Sequence, residues 1–141
     1  MNTFRRYAHW PLVLFVAIIF IQSLFFKFTD APATQHIFIG TLEPWAASLG
    51  FSGLFSAGGI FSARVIGGFE LLSALLLLAG AIMRRSCVLR AGAALGLAII
   101  SGAIFFHVFT PLGIVVQNDG GELFILACLI WLSCVLLLRK I

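Results

Sequence analysis

The sequence predicts an all-α membrane protein: a four-transmembrane-helix bundle with a short interfacial helix in its first outer loop. Three observations predict it. The chain of 141 residues is 62% hydrophobic and 10% charged, with 15 phenylalanines, which is more apolar surface than a soluble domain of this size buries. Four apolar runs, near Trp10–Phe26, Val65–Met83, Ala91–Phe109 and Leu123–Leu138, approach the roughly 20 residues that a membrane helix requires. The runs are rich in Leu, Ala and Ile and lack the in-out alternation of an outer-membrane barrel strand. No domain boundary, repeat or low-complexity tract interrupts them, so residues 1–141 read as one membrane domain.

The first run follows Arg5 and Arg6 and precedes "APA" (Ala31–Ala33), a loose match to a signal-peptide cleavage site. It reads as a span instead, because it is long for a signal core and Lys27 and Asp30 come before the small residues. No twin-arginine continuation follows Arg6. The connection from Phe28 to Ala63 is the one long loop. Its first half, "APATQHIFIGTLEPWAASLG", forms a short interfacial helix with Trp45 as an aromatic anchor and Pro44 limiting its regularity. Its Gly/Ser-rich second half, "GFSGLFSAGGIFSA", either hugs the bundle or extends the second span outward.

In the second run Gly67, Glu70, Ser73 and Ala74 share a helical face, so Glu70 is expected to point at protein and not at lipid. In the third run Gly92, Gly96, Ala103 and His107 recur at spacings of four and seven, a small-residue stripe against which a neighbouring helix packs closely. Asp119 and Glu122 open the fourth run, where the helix dipole favours negative charge. Cys87, Cys128 and Cys134 make no CxxC pair and read as small packing residues, which argues against a vicinal-dithiol relay.

Basic residues set the expected orientation. Arg5 and Arg6, Arg84, Arg85 and Arg90, and Arg139 and Lys140 all flank one side of the spans, whereas only Lys27 and Arg64 fall on the other. Both termini are therefore expected in the cytoplasm of a bacterial-type inner membrane. The net charge of +4 is then a topology signal with weak attraction to anionic lipid, and gives no reason to invoke nucleic acid.

This orientation places Lys27, Arg64, Glu70, His107, Asp119 and Glu122 in the outer half of the bundle, with Gln22 at a similar depth. Each charge in hydrocarbon costs a few kcal/mol, so pairing or a shared polar pocket is expected. Glu70, about 9 Å along the helix from Arg64, pairs with Arg64 or Lys27 on a structural reading. On a functional one, Glu70 and His107 form a proton donor and acceptor pair. A single in-span histidine disfavours haem, no ligand spacing supports a metal, and no nucleotide loop or nucleophile motif is present.

The ordered set "FFKFTDA", "GGFELLSALLLLAGAIMRR" and "SGAIFFHVFTPLGIVVQNDGGELF" is similar to the DoxX-like family of small four-helix membrane proteins. The resemblance spans nearly the whole chain. It implies a small membrane subunit or accessory associated with quinone-linked oxidoreductases, with Lys27, Glu70, His107 and Glu122 as the candidate polar site, a quinone as the candidate cofactor, and a membrane or extracytoplasmic redox protein as the candidate partner. The stretch Gly50–Ala63 is longer than the family usually carries, which bears on the outer lid and on Arg64. Two other classes compete: a non-enzymatic scaffold whose polar cluster is structural, and a proton-coupled carrier, disfavoured because no broken helix pair or inverted repeat is evident.

Overall fold

The computed structural model describes residues 7–141, so Arg5 and Arg6 lie outside the described residues. Four long helices dominate: α1 (Trp10–Phe28), α3 (Ala63–Ile82), α4 (Ser86–Phe109) and α5 (Glu122–Lys140). Between α1 and α3 lies a short helical segment, α2, wound as α-helix over Pro32–Gln35, as π-helix over His36–Leu42 and as α-helix again over Glu43–Ser48. The four long helices are long and apolar enough to cross a membrane, and the chain is a multi-pass membrane protein on that basis.

Each helix begins and ends for a local reason. Pro11 sits in the first turn of α1, where its missing N–H costs nothing. Ser62 caps α3 by accepting the N–H of Val65. The end of α3 is a Schellman turn: Arg85 N–H donates to Gly80 O at 2.9 Å and Arg84 N–H to Ala81 O at 3.4 Å. Arg84 takes the left-handed position of that turn, with φ of 55°. Pro44 cannot donate a backbone hydrogen bond and its ring crowds the carbonyl four residues back, and the turns just before it are the ones widened to π.

The helices pack as a ring in which α1 neighbours α3 and α5, and α4 neighbours α3 and α5. Small residues set the spacing. A methyl group on Gly92 would lie 2.7 Å from the backbone nitrogen of Leu77, and one on Gly96 would meet Ser73 Oγ at 2.9 Å, Cys134 Sγ at 3.2 Å and the Phe20 ring at 3.3 Å. All four helices thus converge at Gly96. Ser73 is fully buried there and donates to the Gly92 carbonyl at 2.9 Å. The opposite surfaces carry the exposed apolar side chains expected of a lipid-facing wall, among them Ile18, Phe69, Phe105 and Ile125.

A second, smaller core lies beyond the bundle at the end holding the two long connections, here the loop end. Leu42, Ala46, Phe55, Leu112 and Val116 are buried together, with Trp45 and Phe106 packed against them. The stretch after Gly50 therefore hugs the bundle and does not lengthen α3. Trp45 is half-buried and meets Phe106 edge-on at 6.2 Å, so it packs inward as part of this cap.

Candidate functional site

Lys27 stands one turn beyond Ser23 on α1, so the two side chains share a face. Both reach Glu70 on α3. The Lys27 ammonium donates to Glu70 Oε1 at 3.0 Å and Oε2 at 2.9 Å, and to Ser23 Oγ at 2.9 Å. The Ser23 hydroxyl donates to Glu70 Oε2 at 2.5 Å. The Lys27 and Glu70 side chains are 16% and 7% exposed, so this is a nearly buried ion pair bridging two spans. Gly67 makes room for it: a methyl group there would press on Leu24 and the Phe28 ring and touch Lys27 Cδ at 3.5 Å.

Arg64 is engaged elsewhere. It pairs with Asp30 at 3.0 Å in a bridge whose side chains are 60% and 51% exposed, a geometry worth little in water. Of the two cations that the sequence offered Glu70, Lys27 is the partner. Gln22 is exposed, on a different face of α1 from its neighbour Ser23, and Ser23 supplies the hydroxyl. A lone serine in an apolar helix carries little signal, and the four-residue spacing of Ser23 from Lys27 is the one clue to it in the sequence.

His107 is buried near the end of α4 and belongs to a separate cluster. Its Nδ1–H donates to the Gly113 carbonyl at 2.7 Å, since a carbonyl only accepts, which leaves Nε2 as the basic nitrogen. The Phe124 ring of α5 lies edge-on at 5.7 Å. Asp119 stitches the loop into α5 by accepting the N–H groups of Val116 at 2.9 Å, Gly121 at 2.8 Å and Leu123 at 3.2 Å. Partial desolvation pushes its carboxyl up, but those three backbone donors and the charge of His107 outweigh it and hold the group below its ordinary value of 3.8. Glu122 is exposed at the first turn of α5 and joins neither cluster.

The two clusters differ in depth. Gly96 and Ser73 are level where the helices converge. Counting outward from that level at 1.5 Å per residue puts His107 about 12 Å nearer the loop end than Glu70. No hydrogen bond joins Glu70 and His107 among the described residues. The arrangement is a deep ion pair on α1 and α3 below a shallower histidine on α4, not one polar pocket at a single level.

Glu43 has a role that no motif in the sequence marks. Its carboxylate accepts the N–H of Phe55 at 2.7 Å and the N–H of Gly53, which folds the Gly/Ser-rich stretch back onto α2. "TLEPW" concealed this role because the acceptor's partners are backbone groups ten and twelve residues away. Among the described residues no three of His, Cys, Asp and Glu come close enough to hold a metal ion. Cys134 is buried, Cys128 half-buried and Cys87 exposed. No family model, curated protein or solved structure matches the chain.

Proposed function

We propose that the protein is a DoxX-like, quinone-associated redox subunit or accessory of a bacterial-type inner membrane, with both termini in the cytoplasm. The observation that carries this reading is the Ser23–Lys27–Glu70 triad, an ammonium, a carboxylate and a hydroxyl held together inside apolar spans. Its chemistry suits a quinone headgroup. Lys27 would exchange one of its three present hydrogen bonds for a quinone carbonyl oxygen, and Glu70 would hold and pass on protons for a ring whose reduction takes up two electrons and two protons. The electrons come from a membrane or extracytoplasmic redox protein docked at the loop end. His107, nearer that end, shares no hydrogen bond with Glu70 among the described residues and offers Nε2 as a proton acceptor on the loop-end side only.

Organic extraction and mass spectrometry of the protein purified in mild detergent test this reading. A stoichiometric quinone in the unmodified protein, lost in Glu70→Gln and Lys27→Gln while both variants stay folded, is the expected result. A second reading, a membrane scaffold locked by its polar cluster, is favoured by one observation: every buried side-chain nitrogen and oxygen among the described residues already has a protein partner. No quinone in any form, the unmodified protein included, overturns the redox reading and leaves the scaffold, in which the polar cluster serves stability alone.

A further inference from the structure

The opposite end of the bundle, where the start of α1, the α3–α4 turn and the end of α5 meet, carries a cleft of about 250 Å³. Tyr7, Trp10, Arg84, Leu89, Lys140 and the last residue, Ile141, are among those that line it. All four long helices reach it through their ends. Its size falls just below the roughly 300 Å³ at which pockets begin to hold drug-sized ligands. It suits a single charged group.

Among the described residues, no acidic side chain lines the cleft. The five acidic residues of the chain are Asp30, Glu43, Glu70, Asp119 and Glu122, every one of them in the half of the sequence pattern that packs toward the loop end. Both ion pairs among the described residues lie there too. Arg84 and Lys140 pair with nothing among the described residues.

Orientation alone does not require this placement. A basic flank sets topology wherever its cations fall, whereas Arg84 occupies the left-handed C′ position of a Schellman turn, where glycine is strongly preferred. The chain accepts a strained backbone and keeps a guanidinium on the wall of the cleft.

We propose that this cleft is a binding site for a phosphate-bearing anion, with Arg84 and Lys140 neutralising the phosphate and Tyr7 and Trp10 covering it at the membrane interface. A basic pocket between span ends, rimmed by aromatic rings, is the chemistry of an anionic lipid headgroup; a free phosphate offers the same oxygens.

The test is thermal melting of the full chain in mild detergent, titrated with short-chain phosphatidylglycerol, with phosphatidylcholine of the same chain length, or with inorganic phosphate. Variants are Arg84→Gly, Lys140→Gln, the double, and Arg90→Gln, an exposed cation outside the cleft. The expected result is saturable stabilisation by phosphatidylglycerol and none by phosphatidylcholine. Each cation contributes roughly fivefold to affinity near an anionic group, so the double variant loses on the order of 25-fold while Arg90→Gln matches the unmodified protein. Equal protection by inorganic phosphate assigns the site to free phosphate; protection by phosphatidylglycerol alone assigns it to lipid.

Arg84→Gly is chosen because glycine relaxes the turn, so its apo melting temperature should hold or rise as binding falls. Three results each overturn the proposal: no stabilisation of the unmodified protein by either anion, undiminished binding in the double variant, or an equal loss in Arg90→Gln.

Discussion

Removing one charge of the Lys27–Glu70 pair should cost far more than removing both. In Glu70→Gln the Lys27 ammonium keeps Ser23 and one amide oxygen but loses its counter-charge while remaining largely buried. At 2.9 Å two unit charges attract by about 6 kcal/mol at an effective dielectric constant near 20, and desolvation offsets part of that. Breaking a buried pair on one side costs about 3–5 kcal/mol, and the residual exposure of Lys27 places this case near 3. At roughly 4 °C per kcal/mol the melting temperature in detergent should fall by about 12 °C. Lys27→Met combined with Glu70→Leu should recover most of the loss, because apolar replacements of both partners leave nothing uncompensated. Arg64→Gln, which breaks a half-exposed bridge, should shift melting by no more than about 4 °C. A Glu70→Gln effect no larger than that of Arg64→Gln, or a double variant as unstable as the single, would refute the claim that Lys27 depends on Glu70 for its counter-charge.

Gly96→Leu should overpack the point where all four helices meet and lower stability by about 1–3 kcal/mol, read as a lower melting temperature; an unchanged curve would mean that Gly96 faces lipid. A cysteine introduced at Ala47, which is exposed, should react with an impermeant thiol reagent from outside intact cells, and labelling only after access to the cytoplasm would invert the proposed orientation. Asp119 has a carboxyl held below its unfolded value, so the stability it contributes is present above about pH 3.8 and is lost as pH falls through the lower folded value. Asp119→Ala should therefore melt roughly 2–4 °C lower at pH 7 and approach the unmodified protein at pH 2; a gap that persists unchanged at pH 2 would refute the assignment.

The spans were legible because composition fixes them: a run of apolar residues as long as a bilayer is thick has one solution. α4 begins at Ser86, five residues before the apolar run read from sequence, because Arg90 is compatible with helix while being excluded from a hydropathy window; it is exposed on the first turns. The burial of Gly67, Glu70, Ser73 and Ala74 on one face of α3 follows from spacing alone. Depth and pairing were harder. Position within a span gives approximate depth, but α4 runs further toward the loop end from the level of Gly96 than Glu70 lies from Ser73, and that separates His107 from Glu70. Arg64 and Glu70 are six residues apart on one helix and so lie on different faces, which periodicity does reveal; that Lys27 turns toward Glu70 depends on how α1 rotates against α3, which it does not. The clamp by Glu43 and the strained Arg84 are backbone facts, visible only once the loops have a path.

The division of the core into two carries a consequence for how the molecule opens. The aromatic cap of Phe55, Leu42, Ala46, Leu112 and Val116 rests on the bundle through Phe106, and its fold-back is held by two backbone bonds to Glu43. A segment held this way is expected to open as a unit of its own, at a lower free energy than the four spans. Amide protons of Gly53 and Phe55 should then exchange together, and well before those of the α3–α4 contact at Gly92. Exchange at Gly53 and Phe55 that is as slow as at Gly92 would instead mean that the cap and the spans open as one unit.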